Sequence, residues 1–228
     1  MRKFVIVIAL AALTNLTGCS STFRSYSQTL KLAFAPGEGA TLTRAELASR
    51  NNDALYARVG NLPNAVLGLG FIENGQQKWL SADEAMLVLE NGRLVKSTGF
   101  QNDLIFLKAL SQDPLVQDML KIQVGQTWQS LSDWSFGYET GVMTRYEIVD
   151  INVQQLELLD HTFQTKWVVE EVNFANGKKA ENQFWFELNS GRLIKSRQTI
   201  APFWPEVELV HISTAGRLLG IRNQGNKK

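Results

Sequence analysis

The sequence holds one cysteine, Cys19, so no disulfide can form within the chain and the fold must hold by packing alone. Two histidines, His161 and His211, leave little for a zinc site, which recruits several His or Cys ligands; both read as structural. No G-x-S-x-G and no second thiol are present, so the usual signatures of nucleophilic hydrolase and thiol chemistry are missing. Gly68-Leu69-Gly70 lacks the third glycine of a dinucleotide fingerprint. After the first residues no apolar run approaches the ~20 needed to cross a bilayer. Nothing implies a metal or a cofactor.

The start of the chain is distinctive. Arg2-Lys3 precede an apolar run from Phe4 to Leu13, a secretory signal too short to span a bilayer by itself. Leu16-Thr17-Gly18-Cys19 then resembles a lipobox, where bacterial lipoproteins are lipidated on cysteine and cut just before it. On that reading residues 1–18 are the signal peptide, Cys19 is the lipidated first residue, and 19–24 form a small polar tether. The membrane is met through lipid, each buried methylene contributing ~0.8 kcal/mol. Ser20, where an aspartate is the usual inner-membrane retention signal, favours the inner leaflet of the outer membrane, facing the periplasm. Arg2 and Lys3 leave with the signal, so 21 bases face 22 acids in the remaining chain, a net charge of −1. That balance argues against nucleic acid as the main partner.

Residues 25–223 read as one mainly β domain, and 224–228 as a polar tail. Leu30, Leu32 and Phe34 alternate before Pro36-Gly37-Glu38-Gly39 breaks any regular element. Thr43-Arg44-Ala45-Glu46 has capping-box spacing and predicts a short helix to about Arg50. Strands are expected at 53–59 and 65–72, then at 143–151, 155–159 and 163–174, the last with Trp167 and Val169 opposing Val168 and Val172. Asn74-Gly75, Asn91-Gly92 and Asn176-Gly177 each predict a tight hairpin turn. Leu104 to Leu110 fits a strand or a helix equally well. Asp113-Pro114 predicts a helical interlude with Leu115, Val116, Met119 and Leu120 on one face.

Leu89–Ser97 recurs as Leu188–Ser196, Gly-Arg-Leu included, and Gly216-Arg217-Leu218 follows the alternating strand Val207 to Ile212. Two similar halves, about 53–100 and 143–200, and a chance recurrence of a cheap local solution are both open. Arg93 and Lys96 fall on opposite faces of a strand and read as edge and surface charge. The expected fold class is therefore mainly β: antiparallel sheets built from repeated hairpin units, with one or two short helices.

Several of these residues, taken in order, resemble one family. Phe71-Ile72-Glu73, Lys78-Trp79-Leu80-Ser81, Ala85-Met86-Leu87-Val88 and Asn91-Gly92-Arg93-Leu94 come first. Asp113-Pro114-Leu115, Trp128, Trp134, Glu170-Glu171-Val172, Asn182 through Phe184-Trp185 to Gly191, and Ser196-Arg197-Gln198 follow. The string is similar to the YjbF/GfcB (YmcC-type) lipoproteins, named for group 4 capsule polysaccharide. The resemblance implies a predominantly β lipoprotein that works with machinery assembling or exporting capsular or exopolysaccharide. It brings no catalytic motif. Glu187 stands where the family has an aspartate, with no role attached.

A polysaccharide context raises a glycosidase, which needs two acids about 5 to 9.5 Å apart across a cleft. Glu170 and Glu171 are adjacent in a strand and point to opposite faces. Trp128, Trp134, Phe136 and Tyr138 crowd a Ser- and Gly-rich stretch, and Trp204 sits between prolines; such rings stack on sugars or fill a core, the latter being commoner. Trp128, Trp134, Tyr138 and Trp204 are the candidate glycan contacts, while Trp167 and Trp185 read as core. The expected function is non-enzymatic: assistance to capsule or exopolysaccharide assembly or export through protein or glycan binding. A polysaccharide-modifying hydrolase or lyase and a lipid-binding carrier are the alternatives. The expected partners are the membrane, through the anchor, and export or assembly proteins or the glycan itself.

Overall fold

The structure, a computed structural model, describes residues 39–221 except 136 and 138. The lipobox Leu16-Thr17-Gly18-Cys19, the tether, Tyr138 and the tail lie outside the described residues. Twelve strands follow in order: β1 (Ala54–Val59), β2 (Ala65–Glu73), β3 (Gln76–Leu80), β4 (Met86–Glu90), β5 (Arg93–Thr98), β6 (Leu104–Ala109), β7 (Thr127–Trp134), β8 (Val142–Leu158), β9 (His161–Phe174), β10 (Lys179–Glu187), β11 (Leu193–Gln198) and β12 (Val207–Val210). The described helices are α1 (Arg44–Ser49) and α2 (Ile212–Leu218). Leu104–Ala109 is thus a strand.

Each strand pairs antiparallel with its neighbour in sequence, with one exception, and β12 pairs back onto β1 through Tyr56↔Val210 to Val59↔Val207. The sheet is an up-and-down, nearly closed barrel. Its one seam lies between β5 and β6, which stand side by side without a ladder. Asp103 stitches the seam, accepting from the Ser97 hydroxyl and the Gly99 and Phe100 N–H groups, while Ser97 Oγ accepts from Leu104 N–H. A closed meander leaves few unpaired edge groups for other chains to join.

Local chemistry sets the turns. Asn74-Gly75 and Asn91-Gly92 have both residues at positive φ, as a two-residue hairpin with right-handed twist requires. At Asn176-Gly177 only Gly177 has positive φ; Gly177 N–H bonds Phe174 O, and Asn176 Oδ1 accepts from Lys178 N–H, giving a longer turn than expected. The β8–β9 hairpin turns at Leu159-Asp160, both at positive φ without a glycine. Consequently the three strands expected across 143–174 are two long ones.

The barrel is filled. Leu55, Leu67, Trp79, Leu87, Leu94, Leu104, Trp134 and Leu209 make the main core. Ile200, Ala201 and Trp204, in the β11–β12 connection, stopper one end. The β6–β7 connection stoppers the other, where Leu115, Met119 and Ile122 pack on Ile148, Val168, Phe184 and Phe186. That connection is not the single amphipathic helix expected at 113–120. It is two 3₁₀ turns, Pro114–Val116 and Met119–Lys121, each capped by an aspartate that accepts from the N–H two residues on. Asp118 restarts the chain direction, so Leu115 and Met119 face inward while Val116 and Leu120 are exposed.

The capping box at Thr43 and Glu46 starts α1 as expected, and α1 packs with α2 on the outside of β1 through Leu47, Ala54 and Ile212. The Gly216-Arg217-Leu218 copy is not a third hairpin but part of α2. A Cβ on Gly216 would stand 2.8 Å from Leu47, so glycine there permits the helix approach. The β8–β9 hairpin reaches past the barrel and covers α2 through Leu156, Leu158 and Phe163.

Candidate functional site

Trp128, Trp134 and Trp204 lie inside, with 1%, 4% and 8% of their surface exposed. Trp134 packs edge-on to Phe203, and Trp204 donates its indole N–H to Asn102 O at 2.6 Å, closing the stoppered end. Trp128 stacks on Tyr146 with ring centroids 4.0 Å apart. No face of these rings is open to a sugar, which corrects their candidacy as glycan contacts: their area is used to fill the barrel.

The interior holds a polar node that strand alternation did not predict. Arg93, read from sequence as surface charge, is 3% exposed. It follows the Asn91-Gly92 turn, close to a bulge at Val88/Leu89, and the hairpin end folds across the barrel until Gly92 meets Leu193. Arg93 binds Asp113 through Nε at 2.5 Å and NH2 at 3.1 Å, and Glu170 through NH1 and NH2, both at 2.9 Å. Its guanidinium also lies 4.2 Å from the Trp128 ring. Trp128 Nε1 and Asn182 Nδ2 donate to Glu170 at 2.6 and 2.8 Å, and Asp113 accepts from Leu115 N–H at 2.9 Å.

One cation thus faces two buried carboxylates, and neutral N–H donors take up the remaining negative charge. Burial alone would lower the Arg93 pKa, but Asp113 and Glu170 outweigh it and raise it. Burial likewise pushes the Tyr146 hydroxyl up to about 12. Every carboxylate oxygen in the node has a donor, which marks it as a tie between the β4–β5 hairpin, the 3₁₀ stopper, β7, β9 and β10. Gln198 adds to the tie, accepting from Leu94 N–H at 3.0 Å and donating to Gly92 O at 2.8 Å. As expected, Glu171 points the other way, to Lys179 on the outside.

The outer face carries a second constellation. Asn152, Trp167, Trp185 and Lys195 stand directly opposite one another across β8, β9, β10 and β11. Trp167 and Trp185, expected in the core, share this outer face, with centroids 6.5 Å apart and planes inclined by 36°. Trp185 is covered by its neighbours: Lys195 Nζ and the Arg197 guanidinium lie 5.4 and 5.9 Å from its ring. Trp167 is partly open. The Trp185 indole donates to Gln154 Oε1 at 3.2 Å.

Glu208 on β12 gathers Arg58, Lys195 and Arg197 at 2.8, 2.9 and 2.8 Å. Burial would raise its pKa, but those three donors prevail and hold it at about 2. Three bases therefore share one permanent carboxylate, with the more exposed Glu206 3.7 Å from Arg197. Among the described residues no group of three His, Cys, Asp or Glu is placed to hold a metal.

The sequence matches the family described as group 4 capsule polysaccharide lipoprotein gfcB, YjbF, over residues 27–212. It is 28% identical over 207 residues to the uncharacterized lipoprotein GfcB of Escherichia coli K12, covering 88% of this chain and 94% of that one. It is 25% identical over 191 residues to the uncharacterized lipoprotein YjbF of the same organism, covering 83% and 89%. The crystal structure of the hypothetical lipoprotein YmcC from Escherichia coli K12 matches with a TM-score of 0.67 at 25% identity, over 86% of this chain and 96% of that one. A filled, antiparallel barrel and a family match across most of its length agree: the chain belongs to the group 4 capsule polysaccharide lipoprotein family, GfcB/YjbF.

Proposed function

We propose that the protein is a lipid-anchored envelope lipoprotein that assists capsule or exopolysaccharide assembly or export by binding, without catalysing a reaction. The observation that carries this reading is the family match over residues 27–212, beside the lipobox that ends at Cys19. The geometry supports binding over chemistry. A glycosidase needs two carboxyls flanking a cleft, whereas Asp113 and Glu170 are buried and both grip Arg93, and Glu147, Glu171 and Glu181 stand side by side in one row of the outer wall, with Glu171 bound to Lys179. The space a lipid carrier would use between sheet and helices is filled by Leu47, Ala54 and Ile212. With the barrel interior packed, the outer surface is what remains to meet a partner. Ser20 after Cys19 supports the inner leaflet of the outer membrane as the anchor site.

Deletion of the gene, under conditions that express the polysaccharide system, is expected to reduce the amount or chain length of surface polysaccharide, restored by the wild-type gene. Unchanged polysaccharide would refute the role. Shortened product after incubation of the protein with the cognate polymer, read by size and reducing ends, would establish an enzyme instead.

A further inference from the structure

We propose that the outer-face strip running from Asn152 through Trp167 and Trp185 to Lys195, Arg197 and Arg58 is a binding site for an acidic polysaccharide. The proposal rests on the reading above for the choice of polymer; the strip itself rests on geometry.

Register places the residues of one row opposite each other, Asn152, Trp167, Trp185 and Lys195, and those of the next likewise, Asp150, Val169, Gln183, Arg197, Glu208 and Arg58, with Asp150 taken up by the Asn152 amide at the end away from the bases. From β8 to β1 the strip crosses five strand spacings, ~24 Å at ~4.8 Å each, long enough for an extended run of several sugars. Indole faces stack on the C–H faces of sugar rings, and the partly open ring is Trp167. Asn152 and Gln154 stand at one end as amides suited to hydroxyls, Asn152 being held by Asp150 at 2.8 Å.

Charge selects the polymer. Arg58, Lys195 and Arg197 face Glu208, which is held too firmly to be displaced, and Arg197 also faces Glu206, which is not. Arg197 reaches Glu206 at 3.7 Å, beyond hydrogen-bonding distance, and both side chains are well exposed, at 36% and 44%. The Arg197 Nε–H is spent on Glu208, but its two terminal amino groups bond nothing among the described residues, and a sugar carboxylate can accept two hydrogen bonds from them, a better match than the loose Glu206 contact. Acidic Glu171 and Glu181, opposite one another further along β9 and β10, bound the strip and keep an anionic chain on the two rows. A neutral glucan would stack but would leave the guanidinium unused.

The test uses the full lipidated protein in a non-sugar detergent, titrated by calorimetry with polygalacturonate oligosaccharides, with dextran, and with phosphatidylglycerol vesicles. Saturable binding of the uronate, weakened by salt, is expected, with Trp167→Ala and Arg197→Gln each lowering affinity about tenfold or more. Equal affinity for dextran overturns the acidic class, vesicle binding alone makes the strip a membrane contact, and no saturable binding overturns the site. Should a variant fail to fold, protection of tryptophan fluorescence from acrylamide by uronate in the unaltered protein decides; absence of protection counts against the strip. In a deletion strain, full rescue of surface polysaccharide by the double variant Trp167→Ala, Arg197→Gln would refute the strip while leaving the envelope role standing.

Discussion

Arg93 grips Glu170 through two parallel hydrogen bonds, NH1 to Oε2 and NH2 to Oε1, each 2.9 Å long, in a place sealed from water. Removing one partner of such a pair leaves an uncompensated buried charge, at a cost of ~3–5 kcal/mol. Arg93→Met is expected to lose that much in urea unfolding. Adding Glu170→Gln removes one of the two stranded carboxylates, Asp113 being the other, and the double variant should recover part of the loss. A single-variant cost below ~1 kcal/mol, the range of exposed pairs, would show the node to be solvated.

Trp128 and Trp167 offer a contrast between the two sides of the sheet. Trp128→Phe takes a 2.6 Å indole donor from Glu170, and hydrogen bonds to charged groups are worth ~1.5–3 kcal/mol. Trp167 lies on the outer face, and its N–H has no partner among the described residues, so Trp167→Phe forfeits no hydrogen bond seen here. Thermal melts should show a large drop for the first and a small one for the second. The reverse order would invert the assignment of faces.

Gly75 and Gly92 test whether the β4–β5 hairpin docks across the barrel. Both have positive φ, +81° and +86°, so alanine strains either backbone by ~1–2 kcal/mol. A Cβ at Gly75 meets nothing within 4 Å, whereas one at Gly92 would stand 2.3 Å from Leu193 Cδ2. Gly92→Ala should therefore destabilise beyond Gly75→Ala by the cost of moving Leu193. Equal losses in denaturant titration would mean that the hairpin does not dock there.

Stability should fall in two steps on acidification. His211 is buried beside Trp79, its Nε2 without a partner among the described residues; burial, opposed by Asp53, lowers its pKa from 6.5 to about 4. The unfolded chain takes the proton first, so stability is lost as pH falls from 6.5 towards 4, by roughly 3 kcal/mol at most. Glu208 follows. Its folded pKa of about 2 lies below the ordinary 4.5, so the stability contributed by its three cations is present above 4.5 and lost as pH falls towards 2. His211→Gln should flatten the first step in pH-dependent melts and leave the second; an unchanged first step would locate it elsewhere.

Sequence by itself determined the local chemistry. Paired Asn-Gly at 74–75 and 91–92, the Thr43–Glu46 capping box and strand alternation all arise between residues close in sequence, and the structure keeps each of them. Glu187, given no role from sequence, is locally explained too: its carboxylate accepts from Asn189 and Ser190 N–H and shapes the turn before β11. Where two local signals competed, the pattern misled. Asp113-Pro114 was a true cap, but Asp118 is a second one, and two caps within six residues make two short turns in place of a helix.

Tertiary structure alone decided which charges and rings go inside. Arg93, Asp113, Trp128, Glu170 and Asn182 all lay among the residues that carried the family resemblance, yet nothing in their spacing showed that they meet. Alternation tells which residues share a face, not which face a closing barrel turns inward. Bulges such as that at Ile148/Asp150 shift the pattern further. Trp128 and Trp167 are alike as residues; barrel closure buries the first against Arg93 and leaves the second on the outer wall, because inside and outside exist only once β12 has returned to β1.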